Sequence, residues 1–138
     1  MKRVLFLMLV LTVNLAIKSQ DLEQHQWKNR LLLVFSKDKT SNDLTKQINI
    51  LSKDKKGIEE RKLIVYQFVK NSFTTNFNQN WFPIKKLPKK HYSKIKNFEV
   101  VLVGLDGGIK LRQTKIVSLE KLFALIDGMP MRKRELKN

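Results

Sequence analysis

Six charged residues are the ones whose chemistry could build a site: Arg30, Asp106, Lys110, Arg112, Asp127 and Arg132. Arginine presents a planar fork of donors that grips a carboxylate or a phosphate at two points, and a carboxylate beside it neutralises or orients it. Lys110 and Arg112 follow the turn Asp106-Gly107-Gly108, and Arg132 follows a helix-like stretch that halts at Asp127-Gly128. If that hairpin and that helix pack side by side, these cations converge with Arg30 on one end of a sheet. Lys133, Arg134 and Lys137 of the basic C-terminal tail would join them, with Asp106 and Asp127 as the partners. Two outcomes are open: the charges satisfy one another as an internal network that locks the C-terminus, or they leave an anion-binding site.

Other chemistries are poorly provided for. The chain has no cysteine, which removes the thiol nucleophile, the redox pair and the thiolate metal ligand together. The two histidines, His25 and His91, fall on loop-like segments and default to the surface, and a metal site would have to unite them with a carboxylate. Glu59 and Glu60 are adjacent and point apart on a strand or turn, whereas paired acid and base work needs carboxylates that face each other. They read as solvated charges, with Glu60 or Arg61 in a salt bridge. The amides of the Asp-Gly-Gly turn could cradle an anion, yet a hairpin accounts for the turn in full. No glycine-rich phosphate loop, Ser-His-Asp set or nucleotide fingerprint occurs. The expectation is no cofactor, no metal and no catalytic residue.

The chain has 138 residues, the size of one domain, with 28 Lys and Arg against 12 Asp and Glu. At its start, MKRVLFLMLVLTVNLAIKSQ places Lys2 and Arg3 before an apolar run from Val4 to Ile17 that only Thr12 and Asn14 interrupt. That run suits the core of an export signal and falls short of the roughly 20 apolar residues that span a bilayer. The expected organisation is a signal peptide over residues 1–19, with Ser19 favoured over Ala16 as the cleavage position and an uncleaved membrane anchor as the alternative, and one domain over residues 20–138, periplasmic or secreted. A domain of roughly 120 residues can bury about two thirds of its surface without disulfides. Removing residues 1–19 takes away three basic residues and no acidic one, leaving 25 against 12, or +13. Such a balance favours an anionic envelope polymer, a lipid head group or an acidic protein, with nucleic acid a poor partner for an exported chain. A lysine- and asparagine-rich proteome would give the same excess with no selected partner. A monomer is expected.

The elements that would position these residues follow from hydrophobic periodicity. Leu31 to Phe35 is a continuous apolar run bounded by charges and Ser36, as in a short strand buried on both faces. Ser41 or Asn42 can cap a helix with Asp43 at its positive end and Leu44, Ile48 and Leu51 at helical spacing, and Gly57 reads as its stop. Leu63 to Val69 is a second β-branched and aromatic run, completing a βαβ unit. Residues 70–96 are rich in Asn and Lys, hold Pro83 and Pro88, and read as a long connection with at most one irregular helix. They interleave Phe73, Phe77, Trp81, Phe82 and Tyr92 with Lys85, Lys86, Lys89, Lys90, Lys94 and Lys96. Such a mixture can stack on bases or sugars, and more commonly forms the buried side of an insertion.

Phe98 to Leu105 and Ile109 to Arg112 flank the Asp-Gly turn as a hairpin, because glycine accepts the positive φ of such a turn. Ser118 caps a last helix striped by Leu119, Leu122, Phe123 and Ile126. Gly128 should end it with a left-handed cap and Pro130 should prevent its continuation. Strand, helix, strand, long connection, hairpin, helix is the order of an α/β, thioredoxin-like fold with a four-stranded mixed sheet and flanking helices.

The stretches WKNRLLLVF, GIEERKLIVYQF, VLVGLDGGIKLR and SLEKLFALIDGMPMRKRE together resemble the bacterial members of domain of unknown function 4174. That family is also described as the P-DUDES domain, related to modules of vertebrate extracellular proteins such as equarin and the sushi-repeat proteins. The resemblance spans about residues 21–136. Its most specific part is the pattern I-D-x-M-P-M-R-x-x-E, matched by Ile126, Asp127, Met129, Pro130, Met131, Arg132 and Glu135. It implies a thioredoxin-like, peroxiredoxin-related fold in an exported protein, and no established activity.

The kinship brings thiol peroxidase chemistry into view and the residues remove it. In the loop SKDKTSNDL after the first strand, where a peroxidatic cysteine would sit at a helix N-terminus, only Ser36, Thr40 and Ser41 stand. The expected function is an exported, non-enzymatic binding or structural module for an anionic partner. The alternative is a cysteine-independent enzyme or redox-related accessory working through the Arg30, Asp106, Lys110 and Asp127 neighbourhood.

Overall fold

In the computed structural model, which describes residues 22–85 and 97–138, β1 (Arg30–Ser36) lies inside a six-stranded mixed sheet. All seven of its residues are buried. Leu32 and Val34 enter one core layer while Leu31, Leu33 and Phe35 enter the other. A strand with neighbours on both edges and cover on both faces has no polar side, which is why its sequence is a continuous apolar run.

β1 pairs in parallel with β2 (Leu63–Val69), and the residues from Leu31 to Ser36 pair antiparallel with β5 (Phe98–Val103). β6 (Ile109–Gln113) turns back along β5 through the expected Asp-Gly-Gly turn, where Gly107 takes a φ of 83°. On the far side of β2 come β3 (Ser72–Thr75) and β4 (Phe82–Pro83), giving the order β4-β3-β2-β1-β5-β6. The sheet therefore has six strands where four were expected, and the extra two lie in the stretch expected to be a connection. The Ser-Phe-Thr-Thr of β3 is too short for a period of two to declare itself, and β4 is two residues with a proline at the sheet edge. The aromatic residues there are packing residues: Phe73 and Phe82 belong to the second core, Phe77 and Trp81 pack against the first. Tyr92 and the lysines from 86 to 96 lie outside the described residues, as do the expected signal segment and its cleavage position.

One face of the sheet carries α1 (Asn42–Ser52), α2 (Lys55–Glu60) and α3 (Leu119–Asp127), whose Leu44, Leu51, Ile58, Leu122 and Ile126 join Leu32, Val34, Val65, Val100 and Leu102. Each such aliphatic side chain contributes about 1.5–3 kcal/mol through burial. Gln47 is buried among them because it has backbone to satisfy: its Nε2 donates to the Val117 carbonyl at 2.9 Å and its Oε1 accepts the Val117 amide at 2.8 Å. That pair ties α1 to the loop that launches α3. On the other face, Phe35 and Phe68 stack at 5.0 Å and Tyr66 and Phe68 at 5.7 Å. His25 is not a surface histidine; it is half-buried with its Nε2 2.7 Å from the Tyr66 hydroxyl.

Two glycines act differently from expectation. Gly57 does not stop α1, which ends at Ser52; it lies inside α2, where the Asp54 carboxylate accepts its amide at 2.9 Å. A Cβ there would stand 2.5 Å from Asp54 Oδ2 and 2.9 Å from the Phe123 ring, so the glycine permits α2 to approach α3. Gly128 has a φ of −79° and forms no left-handed cap. Met129 is extended and Pro130 opens α4 (Pro130–Lys137), so the basic tail is a helix. Proline lacks an amide that a first helical turn leaves unbonded anyway, which lets it end one helix and begin the next.

Candidate binding site at one end of the sheet

β1 and β2 begin, and β5 ends, at the same end of the sheet, and α3 and α4 meet there. Arg30, the first residue of β1, has no exposed side-chain surface. Its Nη1 donates to the Arg61 carbonyl at 2.8 Å and to Glu135 Oε2 at 3.3 Å, and its Nη2 donates to Glu135 Oε1 at 3.2 Å. Its Nε is a buried donor without an acceptor. Glu135 is shared with Arg132, one turn earlier on the same face of α4, whose Nη1 reaches Glu135 Oε2 at 3.3 Å. Arg132 also donates to Asp127 Oδ1 at 3.1 Å, to the Glu60 carbonyl at 3.3 Å and to the Glu60 carboxylate at 3.4 Å.

Arg61 completes the network. Its Nε and Nη2 donate to the two oxygens of Asp127 at 3.0 and 2.9 Å, and its guanidinium lies 3.8 Å over the Phe123 ring. Hydrogen bonds from Arg61 and then Arg132 hold the Asp127 carboxyl below its ordinary pKa against the opposing effect of burial. For Glu135, burial pushes the pKa up, and the bond and charge of Arg30 with the bond from Arg132 more than reverse it. For Arg132, burial opposes the charge, and its bonds to Asp127, Glu135 and Glu60 keep the pKa above the ordinary value. Three guanidinium groups and three carboxylates thus fasten α4 under the start of β1 and the end of α3.

Arg30, Asp127 and Arg132 are therefore brought together, through Glu135 and Arg61. Asp106 and Lys110 form a separate pair at the head of the hairpin, with Lys110 Nζ donating to Asp106 Oδ2 at 3.0 Å. The amide of Gly108 donates to Asp106 Oδ1 at 2.9 Å, and that bond, followed by the one from Lys110, lowers the Asp106 pKa. A Cβ on Gly104 would lie 2.6 Å from Lys110 Cε, so the glycine lets the lysine fold back. Arg112 does not join this end; it donates to Glu99 of β5 at 2.7 Å. Lys133, Arg134 and Lys137 are exposed on α4. Sequence reading assigned partners to the cations and overlooked Glu135 as the hub, although it closes the I-D-x-M-P-M-R-x-x-E pattern one turn after Arg132.

Between the hairpin head and the α3–α4 junction runs a groove of about 580 Å³, lined by Arg30, Leu105, Lys110, Leu125, Met129 and Met131 among others. Its described lining is hydrocarbon apart from Arg30, the Asp106–Lys110 pair and backbone, and it offers no hydroxyl and no imidazole. A second groove of about 380 Å³ lies by β3, lined by His25, Tyr66, Phe82, Asn76, Asn78 and Asn80 among others. Among the described residues no three His, Asp or Glu side chains are grouped to hold a metal ion.

The loop after β1 lies at the opposite end of the sheet and is closed upon itself. The Ser36 hydroxyl accepts the Asp38 amide and donates to the Asp38 carbonyl, Thr40 donates twice to Asp38 Oδ1, and Ser41 caps α1. The hydroxyls of Ser36, Thr40 and Ser41, standing where a peroxidatic thiol would sit, are held in loop and cap bonds.

The family model described as Domain of unknown function (DUF4174) matches residues 21–135. Among solved structures the fold is similar to that of the Plasmodium vivax 2-Cys peroxiredoxin in its reduced form. The two share 14% identity over 85% of this chain and 85% of that one, with a TM-score of 0.56. No curated protein matches the chain. At that identity the likeness is one of fold, and with the mixed sheet and flanking helices it makes this domain thioredoxin-like. The chain belongs to the DUF4174 family, which the match over nearly the whole described length establishes.

Proposed function

We propose that this protein is an exported binding module whose groove at the sheet end takes the apolar part of a partner, while surrounding cations meet the partner's anionic part. The export element rests on the leader-like residues 1–19. The observation that carries the binding element is the groove between Leu105, Leu125, Met129 and Met131, with Lys110 as the exposed cation of its lining. A concave, mostly apolar surface with few convergent polar groups is the usual form of a ligand site, and methionine adapts its shape to what it meets. The nearby carboxylates Asp106, Asp127 and Glu135 are bonded to cations of this chain, whereas Lys133 and Arg134 have no ion-pair partner among the described residues. The potential at this end is accordingly positive. An anionic envelope polymer, a lipid head group and an acidic protein all answer to that description. The enzymatic alternative gains no support here, since Asp127 has both oxygens bound inside the network.

The reading is tested by titrating the protein with anilinonaphthalene sulfonate, an aromatic anion that fluoresces when its ring leaves water. Saturable binding is expected, weakened by salt and reduced by Leu125→Glu and by Lys133→Glu. Binding unaffected by Leu125→Glu in a folded variant would place the anion elsewhere and remove the groove from the argument.

A further inference from the structure

Among the described residues the exposed large apolar side chains are Trp27, Ile109, Leu125 and Leu136, and all four sit at the same end of the sheet. The Trp27 amide donates to the Leu105 carbonyl at 2.6 Å, Ile109 opens β6, Leu125 lines the groove, and Leu136 follows the Glu135 that grips Arg30. Single exposed hydrophobic residues are ordinary on a protein surface, but their collection at one end calls for a cause. Trp27 is the least explained by folding. It is 62% exposed, and its backbone stands at a φ of 68°, in the left-handed region that disfavours side chains. Apart from its amide bond to Leu105, a residue so exposed contributes little packing to the fold, and strain of that kind collects at working surfaces.

Uncompensated charge surrounds these side chains. Lys28 adjoins Trp27, and Lys133, Arg134 and Lys137 fan over the outer side of α4, all exposed and without an ion-pair partner among the described residues. Glu60, Asp106, Asp127 and Glu135, at the same end, are each bound to a cation. A hydrophilic polyanion would answer the charge and leave Trp27 and Leu136 in water. A bilayer interface answers both: indole rings settle at head-group depth, lysine and arginine stems lie along the acyl boundary, and their charges reach the phosphates. Among the described residues no helix is long and apolar enough to cross a membrane, so the contact is with the surface. We infer that this end of the domain docks on an anionic membrane, with Trp27, Ile109, Leu125 and Leu136 entering the interface and Lys28, Lys133, Arg134 and Lys137 meeting the head groups. This names the partner for the binding reading above and rests on it.

The test uses the full chain, in the form its host releases, with vesicles of phosphatidylcholine alone or with rising fractions of phosphatidylglycerol. Binding should rise with the anionic fraction, and in a Trp81→Phe background the fluorescence of Trp27 should shift to the blue. Because each cation at an anionic surface is worth about fivefold in affinity, Lys133→Gln with Arg134→Gln should weaken binding on the order of twentyfold. Trp27→Gly should weaken binding while leaving the unfolding temperature unchanged or raised, since glycine relieves the left-handed φ. Binding indifferent to all these changes overturns the inference, as does a Trp27→Gly variant that loses stability in step with affinity. Dextran sulfate separates the two readings. A protein that binds it and ignores the vesicles refutes membrane docking and leaves the anionic-partner reading standing; one that binds neither refutes both.

Discussion

Replacing Glu135 by glutamine should remove much of the hold that α4 has on the domain. The exchange keeps the shape of the side chain and deletes one charge. Arg30 is fully buried, with one backbone acceptor, one carboxylate and an Nε that has no acceptor, so its guanidinium has no route to water when the carboxylate goes. Breaking a buried ion pair from one side costs about 3–5 kcal/mol. Glu135 retains 17% exposure, which places the expected loss near the lower end, at about 3 kcal/mol. The weaker approach of Lys62 to Glu135 at 3.9 Å is exposed and adds little. Against a total of roughly 5–15 kcal/mol for a domain, that loss shows clearly in urea unfolding followed by circular dichroism.

The same variant makes a pH prediction. Glu135 and Asp127 have folded pKa values below their ordinary 4.5 and 3.8, so the native state holds these protons less readily than the unfolded chain. Their contribution to stability is therefore complete above the ordinary values and is lost as pH falls through the lowered folded ones. The parent protein should weaken below about pH 4.5, and Glu135→Gln should lose part of that acid dependence. Replacing both partners, Arg30→Met with Glu135→Leu, should recover part of the loss, because the buried Arg30 charge goes with its partner while Arg132 gives up its bond to Glu135 and keeps those to Asp127 and Glu60. A loss under about 1 kcal/mol for Glu135→Gln at pH 7, or an unchanged acid slope, would refute the view of this network as a buried brace.

Gln47→Leu should cost about 2–4 kcal/mol by urea unfolding, because it strips both Gln47 bonds from the Val117 peptide groups inside the core. Gly57→Ala should cost about 1–3 kcal/mol in the same assay, since its Cβ meets Asp54 and Phe123 at under 3.0 Å; a neutral result would show that α2 can move away from α3. Mass spectrometry of protein recovered from periplasm or medium should find a chain beginning at Gln20, and an intact Met1 there would exclude cleavage after Ser19.

The parts of this protein that the sequence determined alone are those governed by local periodicity over five or more residues. β1, β2, β5 and β6 declare themselves through apolar runs or through the Asp-Gly turn, and α1 and α3 through caps and stripes, since each pattern is written by neighbours in the chain. The thioredoxin-like order follows from those elements. Chemistry that needs a thiol is excluded by composition, which no folding can alter.

Short or ambiguous signals were settled only in three dimensions. Strands β3 and β4 exist because β2 offers them an edge to pair with, and Gly57 is buried within α2 by the approach of Phe123. Pro130 begins a helix because Glu135 and Arg132 then reach Arg30, Asp127 and Glu60 across the sheet end. Charges carry no periodicity that assigns their partners. Asp127 could as well have served Lys110 as Arg61, and the choice was made by which side chains the packed core brought within hydrogen-bond distance of one another. The groove and the position of Trp27 beside it are likewise tertiary facts, since no local rule in the sequence joins residue 27 to residue 125.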